Sequence, residues 1–150
     1  MLDQPFPLPD LAATDQLAGL VASRLRRGDC VALQGPLGAG KTTFARALLR
    51  ALGITDDVPS PTFTLLQTYD TADFPIYHFD LYRLKNEDEL EEIGWEDALA
   101  DGVVLVEWPE RAETHMPGDR LALHFGADAQ GQRWCVPEPC GDWMERLKHD

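Results

Sequence analysis

Hydrophobic and polar positions along the chain change period several times, and each change marks an element. Leu17, Leu20, Val21 and Leu25 recur at helical spacing, with Thr14 as the expected cap and Gly28 as the expected stop, so a first helix is predicted here. Ahead of it, Pro5, Pro7 and Pro9 block regular helix, and residues 1–10 read as an extended lead-in. Asp29 to Gln34 then holds the continuous apolar run Cys-Val-Ala-Leu, the pattern of a short buried strand. A glycine-rich loop follows, and after it a helix from about Gly40 to Leu52, with Phe44, Leu48 and Leu52 on its inward face and Gly53 at its end.

Further along, Asp56 to Pro61 is turn-rich, and Phe63 to Tyr69 and Ile76 to Tyr82 alternate like two strands joined by Asp70-Thr71-Ala72-Asp73, which predicts an antiparallel hairpin. Asn86-Glu87-Asp88-Glu89 matches a capping box and opens an acidic helical region punctuated by Gly94 and Gly102. Val103 to Val106 is the most apolar strand, and Arg120 to Phe125 with Arg133 to Val136 predicts a last hairpin. Only one clear strand-helix-strand alternation is visible, so the sheet is expected to be mixed. Trp143, Met144 and Leu147 fit either a short amphipathic helix, on the body or on a partner, or a frayed tail.

With 150 residues, 44% of them hydrophobic and 26% charged, the chain is expected to form a single domain spanning 1–150. Acidic residues outnumber basic ones 26 to 13, for a formal charge of -13, which argues against tight direct binding to naked nucleic acid and favours basic partner surfaces. The cluster Arg24, Arg26 and Arg27 reads as a solvated helix end. Cys30, Cys135 and Cys140 lack metal-ligand spacing and read as reduced thiols. No apolar run is long enough to span a bilayer and the amino terminus is acidic and proline-rich, so a cytoplasmic protein is expected, with no membrane partner.

Chemistry enters with Gly35-Pro36-Leu37-Gly38-Ala39-Gly40-Lys41-Thr42, which fits the Walker A pattern G-x-x-x-x-G-K-[ST] at every fixed position, between a predicted strand and a predicted helix. Glycine lets the backbone curl until several N–H groups converge on one anion, and the following helix presents its positive dipole end. Lys41 supplies a compact charge for the outer phosphates, and the Thr42 hydroxyl is placed to ligate magnesium. The expected fold is therefore α/β, a P-loop NTPase-like three-layer arrangement with a mixed, partly antiparallel sheet. The expected ligands are ATP, as substrate, and Mg2+; no Asn-Lys-x-Asp segment for reading guanine is present.

Hydrolysis needs carboxylates to organise magnesium and the attacking water. Asp80 is one candidate, because alternation puts His78, Asp80 and Tyr82 on one strand face; Glu107 is the other, at the end of the apolar run 103–106. The competing readings are an exposed edge-strand residue for Asp80 and a solvated strand end for Glu107. His78 reads as a structural histidine sooner than as a base. Ser60-Pro61-Thr62 is either a plain turn or a loop that senses the terminal phosphate through Thr62, and Trp108 is either site or core.

Gly35 to Thr42, Ser60-Pro61-Thr62-Phe63-Thr64-Leu65, His78-Phe79-Asp80-Leu81-Tyr82-Arg83-Leu84 and Glu107-Trp108-Pro109-Glu110-Arg111, in this order, resemble the TsaE family, also called YjeE, over roughly residues 8–136. The resemblance implies a bacterial P-loop ATPase that assists threonylcarbamoylation of the adenosine beside the anticodon in tRNAs reading codons that begin with A. Such a helper binds the TsaB-TsaD heterodimer, in which TsaD is the transferase, and uses ATP hydrolysis to reset it; tRNA is met only through that complex. Carried over by motif, Gly35, Pro36, Leu37, Gly38, Ala39, Gly40, Lys41, Thr42 and Thr43 bind nucleotide, with Lys41 on the phosphates. Thr42 and Glu107 ligate magnesium, and Asp80 helps position metal or water. Ser60, Thr62 and Thr64 belong to a switch-like loop, Trp108 lies close enough to report on nucleotide, and Leu11, Glu110 and Arg133 fall near base and ribose.

Two other classes share the loop. A small-molecule P-loop kinase usually opens on the phosphate-loop strand and carries an Arg-rich lid, whereas here a helix comes first and no such lid segment is visible. A nucleotide-dependent binding module with little turnover is the other alternative, and it overlaps with a slow helper ATPase.

Overall fold

The computed structural model describes residues 5–36, 38–54 and 65–148. Leu37 and the segment with Ser60, Thr62 and Thr64 lie outside the described residues. The elements, in order, are β1 (Phe6–Pro7), α1 (Leu11–Ala22), β2 (Cys30–Gln34), α2 (Lys41–Ala51), β3 (Leu66–Asp70), β4 (Pro75–Asp80), α3 (Asp88–Glu92), α4 (Trp95–Asp101), β5 (Val103–Glu107), a 3₁₀ segment (Pro109–His115), β6 (Arg120–Ala127), β7 (Arg133–Cys140) and α5 (Trp143–Lys148). Among the described residues no helix is long and apolar enough to cross a membrane.

The strands form one sheet in the order β1-β7-β6-β2-β5-β4-β3. β6, β2, β5 and β4 are parallel; β3 on one flank and β7 with β1 on the other run antiparallel. The continuous apolar runs of β2 and β5 follow from burial on both faces. Val31, Leu33, Val103 and Leu105 pack toward α1, α2 and α5, with Leu17, Val21, Phe44, Leu48 and Trp143. Cys30, Ala32, Val104 and Val106 pack the opposite way, against Leu90 of α3, Trp95 and Ala98 of α4, and Ala112. The result is the expected three-layer α/β fold with a mixed sheet.

Several boundaries differ from the sequence reading. Asp10, not Thr14, caps α1: its backbone is extended and its carboxylate accepts from the Ala13 N–H at 2.9 Å, which leaves Thr14 inside the helix and buried. The helix stops at Ala22 and not at Gly28, because Ser23 and the turns through Arg24 and Leu25 take over its last carbonyls. Part of the lead-in is a strand, with Phe6 opposite Cys135 and Pro7 opposite Trp134 at the sheet edge, where proline's missing donor is tolerated. The acidic region is two short helices separated by Gly94 at φ 85, and Glu89 reaches back to the Asn86 N–H as half of the expected box. Beyond residue 136, β7 continues to Cys140 and α5 folds onto the body.

Candidate nucleotide site

β2, β4 and β5 are parallel neighbours, so their carboxyl ends lie at one edge of the sheet, where open α/β folds bind ligands. Three chemistry-bearing positions meet there. The phosphate loop leaves the end of β2, while Asp80 and Glu107, the last residues of β4 and β5, are direct register partners. Side chains alternate along a strand, so both point to the face that carries α2. Both carboxylates are buried, Glu107 to within 2% exposure, so neither the exposed edge-strand reading nor the solvated strand-end reading holds. β4 is an inner strand, paired on both sides.

The loop shows why glycine is needed. Gly35 sits at φ 147, and a Cβ there would lie 2.5 Å from the Phe125 carbonyl oxygen of β6. Gly40, the residue before α2, sits at φ 107, a left-handed conformation that side chains resist. α2 begins at once after Gly40, without a side-chain cap, so its first turn, Lys41, Thr42 and Thr43, turns N–H groups toward the loop, the arrangement that suits an anion.

Lys41 is buried, with Nζ 2.5 Å from the Gly35 carbonyl oxygen and 3.3 Å from the centre of the Trp108 ring. Burial pulls its ammonium below the ordinary lysine range, against the opposing pull of Glu107, Glu110 and Asp80. The Thr42 hydroxyl donates to Glu107 Oε1 at 3.2 Å, and Glu107 Oε2 meets His78 Nε2 at 2.8 Å. Asp80 accepts from the Tyr82 N–H at 3.0 Å. Among the described residues no three His, Cys, Asp or Glu side chains converge into an all-protein cation cage. A hydroxyl and a carboxylate side by side are instead the oxygen donors a hard divalent cation shares with phosphate.

A cavity of about 310 Å³ is lined by Gly38, Gly40, Lys41, Thr42, Thr43, Asp80, Tyr82, Glu107, Trp108 and Arg133. Next to it, a larger cavity of about 640 Å³ shares Gly40, Thr43 and Arg133 and adds Leu11, Ala39, Thr14 and the chain on either side, Pro7 to Asp10 and Gln130 to Gln132. The structure thus brings together the loop, Asp80, Glu107, Trp108, Leu11 and Arg133. Glu110 lines neither cavity but a small recess with Gln34, Pro109, Glu113 and Arg120, from which its charge still acts on Lys41. Pro36 accepts from the Ala39 N–H and helps to close the loop.

Two side chains to which sequence reasoning assigned no role at the nucleotide site also meet it. His78 touches Glu107 directly, and Tyr82 lines the smaller cavity with its ring 5.0 Å from that of Trp108. The period-two alternation already placed both on the face of Asp80, and that was the available signal.

A sequence model of the family described as "Threonylcarbamoyl adenosine biosynthesis protein TsaE" matches residues 8–135. A tRNA threonylcarbamoyladenosine biosynthesis protein TsaE of Rickettsia felis is 50% identical over 123 residues, covering 81% of this chain and 72% of the relative. The protein of that name from Bacillus subtilis is 43% identical over 135 residues, covering 89% and 84%. The crystal structure of Bacillus subtilis YdiB superposes with a TM-score of 0.81 at 31% identity, covering 97% of this chain and 90% of that one, and the fold is P-loop NTPase-like. With the family model spanning most of the chain and these relatives aligned along it, the chain belongs to the TsaE family.

Proposed function

We propose that this protein is a cytoplasmic, Mg2+-dependent ATPase that assists tRNA threonylcarbamoyladenosine modification by binding the TsaB-TsaD heterodimer and hydrolysing ATP to reset it between turnovers. The observation that carries the reading is the contact between Thr42 and Glu107, which puts a hydroxyl and a carboxylate beside the lysine and first-turn amides of a phosphate loop. The residues present fit magnesium, since they offer oxygen donors only and leave the remaining positions to phosphate and water.

In this reading the amides of Lys41, Thr42 and Thr43 hold the outer phosphates, and the Lys41 ammonium follows the charge that shifts onto them during transfer. Thr42 and Glu107 hold the cation, which supplies charge neutralisation across the phosphate oxygens. Asp80, beside Glu107 and facing the same cavity, orients the attacking water. Leu11 and Arg133 line the neighbouring cavity, which is large enough for the base and ribose. Membership of a family described by threonylcarbamoyl adenosine biosynthesis supports the pathway assignment.

Steady-state hydrolysis of Mg·ATP, measured with and without purified TsaB-TsaD, tests the proposal. The expected result is slow turnover alone and a changed rate with the heterodimer. An unchanged rate, with no co-elution in ATP or ADP, would refute the coupling.

A further inference from the structure

His78 lies in the middle of β4, on the sheet face that Ile76 and Leu105 make apolar, and it is 1% exposed. Burying an imidazole is costly unless its nitrogens are bonded. Nε2 meets Glu107 Oε2 at 2.8 Å, while Nδ1 has no partner among the described residues. An apolar side chain would fill the same space without stranding a nitrogen, so packing does not account for the ring. The bond to Glu107 does.

A magnesium-ligating Glu107 is ionised and can then only accept, which assigns the hydrogen of this contact to Nε2. The second oxygen, Oε1, takes the Thr42 hydroxyl at 3.2 Å. Two donors from different elements, β4 and α2, therefore grip the two oxygens of one carboxylate and fix the tilt of its plane. We propose that His78 is a positioning residue whose Nε2–H holds Glu107 in the rotamer that presents Oε1 to the Thr42 hydroxyl, and so to the cation. Hydrogen bonds behind a ligating carboxylate set the ligand's direction and basicity, and losing one weakens metal affinity. The inference rests on the assignment of Thr42 and Glu107 as magnesium ligands.

The test is calorimetric titration of the non-hydrolysable β,γ-imido analogue of ATP, with Mg2+ and with EDTA, into wild type, His78→Gln and His78→Leu. The gain in affinity that Mg2+ confers should fall about ten-fold or more in His78→Leu, within the range typical of such second-layer bonds. Affinity in EDTA should stay near the wild-type value, and His78→Gln, which keeps an N–H donor, should retain most of the gain. Equal losses with and without metal, or an undiminished gain in His78→Leu, would overturn the positioning role. A wild type with no Mg2+ gain would instead strike the ligand assignment beneath it. Should His78→Leu not fold, nitrogen-15 NMR of histidine-labelled wild type decides. The Nε2 resonance is expected to show a bonded hydrogen and to move when Mg2+ is added to the nucleotide complex, and a resonance indifferent to Mg2+ would overturn the proposal.

Discussion

Trp108 carries an unusual backbone for a bulky residue, φ 61 and ψ 49 immediately after β5. A non-glycine residue held in such a region costs on the order of 1–3 kcal/mol, and surrounding contacts must offset it. Here they are the Lys41 ammonium over the indole and the ring of Tyr82 beside it. Nucleotide that draws Lys41 toward phosphate has to change this contact. Tryptophan fluorescence is therefore expected to respond to Mg·ADP in the wild type and to lose most of that response in Trp108→Phe, although Trp95, Trp134 and Trp143 remain. Lys41→Ala should weaken triphosphate binding or abolish turnover while the fold persists, as circular dichroism would show. Glu107→Ala should keep some nucleotide affinity yet lose metal-dependent hydrolysis. Wild-type turnover in both variants would refute these roles. At this scale spacing picked out Lys41 and Thr42 through the loop pattern, whereas for Asp80 and Glu107 it left an exposed edge and a solvated strand end open until burial and the parallel register removed both. The partner of His78 was not readable, because the contact depends on the parallel register that sets Asp80 beside Glu107. The backbone of Trp108 leaves no trace in composition or period.

Among the elements, α5 lies beyond the 8–135 stretch that the family model matches, yet it is built into the core. Trp143 and Leu147 are buried, while Met144 is 53% exposed. Arg146 lies over the Trp143 ring and binds Asp29, ahead of β2, through two bonds of 2.6 and 2.7 Å. Both partners are largely shielded from water, and removing Arg146 leaves the Asp29 carboxylate with the Arg26 N–H but no opposite charge in contact. Arg146→Ala should then cost about 3–5 kcal/mol in urea denaturation, the range for breaking a buried pair. Met144→Ala should fall within about 0.5 kcal/mol of wild type. A cost for Arg146→Ala near that of Met144→Ala would show that α5 is only loosely attached. The short apolar spacing of Trp143 and Leu147 was visible in the sequence, but the anchor was not, since Asp29 and Arg146 are far apart along the chain. β1 was hidden for a similar reason: a two-residue strand exists only because β7 offers it an edge.

The strands also bury two thiols. Burial, the dominant cause, pushes Cys30 and Cys135 from 9.0 up to about 12. A thiol raised in this way keeps its proton in the fold after the unfolded chain has lost it. Its contribution to stability is thus complete below about pH 9 and drains away as pH rises toward 12. Denaturation midpoints should fall between pH 9 and 11, and less steeply in Cys135→Val. At neutral pH, iodoacetamide should modify the half-buried Cys140 in the native protein and all three cysteines only in denaturant. Rapid native labelling of Cys30 or Cys135 would contradict the packing of β2 and β7.

For the whole molecule, the formal charge of -13 bears on association more than on fold. Encounter with a basic partner surface should slow as salt rises, and stopped-flow association at two ionic strengths would read this directly. The three layers were legible from the loop pattern between a strand and a helix, and the mixed sheet from the single strand-helix-strand alternation among hairpins. Every proposed role at the site depends on the loop amides and Lys41 holding the phosphates of a magnesium nucleotide. Isothermal titration calorimetry of Mg·ATP and Mg·ADP into the folded protein measures that grip. Saturable binding at one site, weakened at least about ten-fold in Lys41→Ala by loss of a charge-assisted contact, is the predicted result. No detectable binding of either nucleotide, alone or with TsaB-TsaD, would rule out a nucleotide site at this loop.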